Sequence, residues 1–179
     1  MTFVKPIPAS DIQPAEQSNA RWKDWKWQVG HSITDLSTLE QMLDLKMSAS
    51  EREDMQKTCD IFPMSITPYY LSLIDTQDPF HDPIFKQAIP SVGELIIEDY
   101  DIHDEDSPCP LITHRYPDRI LFLISNTCAM YCRHCTRKRK VGQISSTPLD
   151  EELNAAFSYI ESHPEIRDVL LSGGDPLML

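Results

Sequence analysis

The sequence predicts an α/β protein in which an N-terminal helical region precedes a βαβ unit with parallel strands. Three observations carry that prediction. Residues 1 to 110 read as short helices broken by prolines. Arg119 to Ser125 is a near-continuous apolar run, the pattern of a strand buried on both faces, and Asp168 to Ser172 reads as a second such strand. Between them Leu149, Leu153, Ala156, Phe157 and Ile160 recur at helical spacing and give one buried stripe. Strand, helix, strand at this spacing makes a parallel βαβ unit. The expected division is residues 1–110 for the helical region and 111–179 for the start of the α/β domain.

Each element has a local signal. Trp22 and Trp25 are expected on one helical face, and with Trp27 they form an aromatic packing anchor. Ser37 to Glu40, Ser48 to Glu51 and Ser91 to Glu94 fit the S-x-x-E capping box, so a helix is expected to start at each. Thr67-Pro68 and Asp82-Pro83 pair an N-cap with proline at the first helical position. Thr147-Pro148 is expected to open the helix of the βαβ unit, with Asp150, Glu151 and Glu152 favoured by the dipole of its first turn. Pro164 marks its end, and Gly173-Gly174-Asp175-Pro176 is a turn after the second strand.

The chain has 179 residues, of which 41% are hydrophobic and 25% charged, a globular composition. No apolar stretch approaches the ~20 residues that cross a bilayer. Met1 to Ser10 lacks the apolar segment of a secretory signal. With a formal net charge of -12 the chain is a poor non-specific partner for nucleic acid or anionic membrane.

Chemistry concentrates at Cys128, Cys132 and Cys135, directly after the first strand. Three thiolates on one short loop can hold a metal centre and leave one position open, the mark of a centre at which chemistry occurs. The alternative is a zinc knuckle completed by Cys109 or a histidine, although zinc sites favour paired Cys-x2-Cys units and no second pair exists here. The cysteine loop and the Gly-Gly-Asp turn both follow strands. In α/β barrels and open α/β sheets that is the end where active sites gather.

The Cys-x3-Cys-x2-Cys pattern resembles the signature of the radical S-adenosylmethionine superfamily. The wider set resembles lysine 2,3-aminomutase and its close relatives: Thr113 to Arg119, Cys128 to Arg139, Leu170 to Asp175, Trp22 to Trp27 and Ile66 to Leu71. This resemblance implies that the βαβ unit is the first portion of a radical-SAM (TIM-like) barrel, incomplete in this chain. It implies an isomerase that moves an amino group from C2 to C3 of an amino acid, L-lysine first, with glutamate or a translation-factor lysine as alternatives. A [4Fe-4S] cluster, S-adenosyl-L-methionine and pyridoxal 5'-phosphate are the implied cofactors. A reducing protein of flavodoxin or ferredoxin type and a homo-oligomeric full-length form are the implied partners. An oxygen-sensitive cluster and the lack of a signal point to the cytoplasm.

The resemblance also assigns residues. Cys128, Cys132 and Cys135 match the cluster ligands. His134 matches a ring near the adenine. Gly173, Gly174 and Asp175 match the turn that meets the methionine amino group. Arg115, Tyr116 and Arg119 match the stretch that holds the pyridoxal phosphate, and Arg137 matches the arginine for the substrate carboxylate.

Each assignment has a plainer alternative. Arg137 to Lys140 is also a solvated basic run, Arg115 and Arg119 can pair with Asp118 or other acids, and His134 can simply pack. Gly173-Gly174 alone is any tight turn. Cys59 and Cys109 read as ordinary reduced cysteines, and His103 lies in an acidic linker from Glu98 to Asp106. A closed barrel takes roughly 200 residues or more. The chain is therefore expected to be the N-terminal part of an aminomutase that lacks the pyridoxal lysine. It should expose an unpaired strand edge with apolar surface, and be inactive alone.

Overall fold

A computed structural model describes residues 20–96, 106–138, 141–142 and 148–179. His103, Arg139, Lys140, Thr147 and the segment Met1 to Ser10 lie outside the described residues. The architecture is mixed α/β and divides into two units. One holds the residues up to Ile96 together with Ala129–Cys135, and the other holds Ile97–Cys128 and Thr136–Leu179.

The first unit is helical. Its elements are α1 (Trp25–Gly30), α2 (Leu36–Leu43), α3 (Ala49–Ile61), α4 (Pro68–Leu71), α5 (Pro83–Ala88) and a 3-10 turn at Val92–Leu95. Caps explain most of these starts. Ser48 and Glu51 form the full capping box of α3, and Thr67 and Asp82 cap α4 and α5 ahead of prolines at their first turns. Ser91 and Glu94 form the expected box but open the 3-10 turn. The box expected at Ser37 does not form. Asp35 caps α2 instead, accepting from the Thr38 N–H at 2.9 Å, while Arg52 donates to both Glu40 and Ser37.

Leu39, Met64, Ile66 and Ile89 are at the centre of this unit's core, with Leu36, Leu43, Leu71 and Phe85 around them. The tryptophans do not share a face as expected. Trp22 precedes α1 and is 7% exposed, whereas Trp25 opens the helix and is 52% exposed. Buried Gln28 ties the pieces together, donating to the Trp22 carbonyl and accepting from the Tyr69 N–H, each at 2.8 Å.

The second unit is a three-stranded sheet with one helix. β1 (Ile112–Tyr116) pairs antiparallel with β2 (Arg119–Ser125), and β2 pairs parallel with β3 (Asp168–Gly173). α6 (Asp150–Glu161) connects β2 to β3, so the βαβ unit has the expected order. α6 starts later than the Thr147-Pro148 signal predicts: Leu149 occupies its N-cap position, and the Glu152 carboxylate accepts from the Leu149 N–H at 2.9 Å.

Burial is one-sided. Ile112 of β1, Ile120 and Phe122 of β2 and Ala156 of α6 form the core. β2 is therefore covered on one face, while its Leu121 and Leu123 are half-buried. The stripe on α6 narrows to Leu153, Ala156 and Ile160, and Leu149 and Phe157 are exposed. The expectation of a buried second strand fails. Val169, Leu170 and Leu171 of β3 are exposed, because among the described residues β3 is an edge strand and supplies no buried core side chain. β1 is an addition to the sequence reading, which treated Thr113 to Arg119 only as a binding stretch.

Candidate functional site

In the sheet unit the functional candidates cluster where β2 and β3 end. Ser125 and Gly173 are paired there. The chain continues from β2 through Thr127 to Cys128, and from β3 through Gly174 to Asp175. The two exits keep pairing: the Gly174 N–H donates to the Ser125 carbonyl at 2.6 Å and the Asp175 N–H to the Thr127 carbonyl at 2.7 Å. Such closeness requires glycine. A Cβ at Gly173 would sit 2.1 Å from the Ser125 carbonyl oxygen, and one at Gly174 2.2 Å from that of Thr127. Gly173 also has φ +133, a backbone conformation rarely open to L side chains. The Asp175 carboxylate caps the 3-10 turn Pro176–Met178 through the Leu177 N–H at 3.0 Å.

Arg137 is brought to the same place. Its Nε donates to the Gly173 carbonyl at 3.0 Å and its Nη2 to the Ser172 hydroxyl at 3.1 Å. These two bonds orient the planar guanidinium at the exit of β3.

The upstream arginines are placed differently. Arg115 and Tyr116 are exposed at the end of β1, and Arg119 opens β2 across the hairpin turn. The structure gives each arginine an acid. Arg119 lies 3.0 Å from Asp118 and Arg115 lies 4.0 Å from Asp106. Arg119 also stacks over the Tyr116 ring, 5.3 Å from its centroid. Such exposed pairs contribute little to stability. His114, in the same stretch, belongs to packing. Its Nδ1 lies 2.7 Å from the Tyr159 hydroxyl of α6.

In the helical unit the loop Ala129–Cys135 is anchored by its backbone. The Tyr131 N–H donates to the Ser65 carbonyl at 3.0 Å and the Arg133 N–H to the Gln87 carbonyl at 2.9 Å. A tight turn joins the Cys135 N–H to the Cys132 carbonyl at 3.2 Å. Burial, and then the neighbouring Cys135, push the Cys132 thiol up from its ordinary value. His134 between them is exposed.

Cys128, Cys132 and Cys135 are all half-buried, reduced thiols. Among the described residues no three His, Cys, Asp or Glu side chains gather as the ligands of one metal ion would. The donor chemistry, three thiols spaced Cys-x3-Cys-x2-Cys with no disulfide among them, is that of a thiolate-held metal centre.

The sequence reading missed Arg133, between the second and third of these cysteines. Its side chain is buried, and it makes a bidentate pair with Glu94 at 3.0 and 2.9 Å. It also donates to the carbonyls of Pro63 at 2.9 Å and Phe62 at 3.2 Å. Removing one partner of such a pair costs about 3–5 kcal/mol, because the other charge is left buried. The available signal was an arginine inside a cysteine motif. Its partner lies 39 residues upstream and nothing in the sequence marks the pairing.

Comparison with known proteins fits this picture. The chain is 55% identical over 163 residues to the L-lysine 2,3-aminomutase of Methanococcus maripaludis, a match covering 88% of this chain and 38% of that protein. It is 47% identical over 167 residues to the L-lysine 2,3-aminomutase of Acetoanaerobium sticklandii, covering 90% of this chain and 40% of that protein. Over that span the chain is similar to proteins named L-lysine 2,3-aminomutase. It is also 41% identical over 162 residues to the glutamate 2,3-aminomutase of Clostridioides difficile, covering 88% of this chain and 38% of that protein. The chain thus spans about two-fifths of the length of these aminomutases. No protein-family model matches it.

Proposed function

We propose that this chain is the cluster-bearing portion of a radical S-adenosylmethionine, pyridoxal phosphate-dependent 2,3-aminomutase that interconverts L-lysine and β-lysine. The observation that carries the reading is 55% identity to an L-lysine 2,3-aminomutase over a span that includes Cys128, Cys132 and Cys135 on a Cys-x3-Cys-x2-Cys loop. In this reading the βαβ unit is the first portion of a radical-SAM barrel. When bound, the cluster, adenosylmethionine and pyridoxal phosphate supply the radical and the carrier for nitrogen migration.

The chain's own residues bind and orient. Cys128, Cys132 and Cys135 hold the cluster, and His134 flanks the adenine. The Gly173-Gly174 backbone and Asp175 receive the methionine end. Arg137, already oriented by Ser172 and Gly173, receives the substrate carboxylate. Arg115, Tyr116 and Arg119 take the phosphate, for which the two arginines exchange exposed acid partners. A cytoplasmic setting and a flavodoxin- or ferredoxin-type reductant belong to the same proposal.

The test is anaerobic reconstitution with iron and sulfide. About four irons per chain are expected, lost on Cys→Ala change at any of the three positions, with a spectrum perturbed by S-adenosylmethionine. One tightly held zinc and no cluster would replace this reading with a structural metal module. The glutamate aminomutase among the relatives supports a second substrate reading. Formation of β-glutamate rather than β-lysine by the complete protein would select it.

A further inference from the structure

We propose that Arg133 and Glu94 form a positioning pair that fixes the Cys132–Cys135 half of the loop on the helical unit and so presets two of the three thiols. The claim that the thiols are preset for a cluster rests on the function proposed above. The claim that the pair fixes the loop rests on geometry alone.

The geometry is that of a built anchor. The side chains of Arg133 and Glu94 are 6% and 10% exposed. All four side-chain hydrogen bonds of Arg133 go to the helical unit. Two reach the Glu94 carboxylate and two reach the backbone carbonyls of Phe62 and Pro63 at the end of α3. Glu94 is itself fixed, since its carboxylate accepts from the Ser91 N–H at 3.0 Å in the capping box of the 3-10 turn. The planar fork meets a carboxylate and two carbonyls at once, which a lysine ammonium cannot reproduce. Arg133 stands one residue from Cys132 and two from Cys135. Fixing its guanidinium and its N–H therefore fixes the path of the backbone that carries both thiols. Surface solvation does not explain an arginine buried this deeply with every bond directed at one unit.

The first measurement needs no cluster. In the metal-free 179-residue chain, the alkylation rate of each cysteine is followed by mass spectrometry, with circular dichroism as a check of fold. Arg133→Met and Glu94→Gln should raise the rates of Cys132 and Cys135 at least about tenfold, because a broken buried pair frees the segment it held. Arg133→Lys should restore part of the protection. Cys109, in the other unit, is the internal control and should keep its rate.

Wild-type rates for Cys132 and Cys135 in folded variants would overturn the proposal. So would a rise at Cys109 in step with Cys132 in all three variants, since that reports general unfolding. The second measurement is iron retention and the electron paramagnetic resonance spectrum after reconstitution, which should be reduced and altered in Glu94→Gln. If the wild-type chain takes up no cluster while its Cys132 and Cys135 rates still respond, the anchor is supported and the cluster reading fails.

Discussion

At the scale of single residues, the caps show how local chemistry selects structure before packing does. Asp82 begins α5 because its carboxylate accepts from the Phe85 N–H at 2.8 Å and from the Asp75 N–H at 3.2 Å. The bond from Phe85 is the main reason its carboxyl lies below the ordinary aspartate range, with Asp75, Ile84 and Lys86 adding to the effect. A depressed folded-state pKa contributes stability that is present above the unfolded value of about 3.9 and lost as pH falls through the folded value. Asp82→Asn keeps a capping oxygen but does not titrate. The urea midpoint of the wild-type chain should therefore exceed that of Asp82→Asn near neutral pH. That advantage should shrink below about pH 4. A gap unchanged across the acid range would show that the charge of Asp82 is irrelevant to the cap.

At the scale of elements, the two strand exits of the sheet unit impose the glycines more strictly than a ligand would. Gly174→Ala would drive a Cβ onto backbone atoms of Thr127, which cannot swing aside as a side chain can. A loss of at least about 2 kcal/mol is expected from such overpacking and strain. Hydrogen exchange should quicken at the Gly174 and Asp175 N–H groups, which bond Ser125 and Thr127. Unchanged protection at both would remove the steric account. Much of this was legible in the sequence, because capping boxes, proline starts and the apolar run of β2 are short-range signals. Ser48, Thr67 and Asp82 cap where the pattern places them. Ser37 does not, because Asp35 supplies the stronger acceptor and Arg52, from the next helix, binds Glu40. β1 was hidden by charged and aromatic residues in Thr113 to Tyr116, and its pairing with β2 depends on a hairpin register that local propensity does not fix. At the candidate site the cysteine spacing was local and visible. The bond from Arg137 to Ser172 and the pair of Arg133 with Glu94 join residues more than thirty apart, which only the fold brings together.

At the scale of the whole molecule, the chain presents apolar surface on β3 that its own core does not use. Val169, Leu170 and Leu171 are 40%, 64% and 53% exposed in a strand that, among the described residues, pairs with β2 on one side. Three consecutive aliphatic residues on an edge strand make a template for association, since both the apolar faces and the unpaired backbone groups favour a neighbour. The matched aminomutases are more than twice as long as the matched span, so they have chain to spare for covering such a strand. In the 179-residue chain, a second copy can supply such a neighbour. Sedimentation should show concentration-dependent association, and a hydrophobic dye should bind. Leu170→Lys should move the chain toward monomer and reduce dye binding while shifting stability by no more than about 0.5 kcal/mol, as for an exposed side chain. A chain that stays monomeric at tens of micromolar and binds no dye would mean that the exposed leucines are inert. If the lysine instead costs several kcal/mol, Leu170 is part of a core and the edge assignment of β3 is wrong.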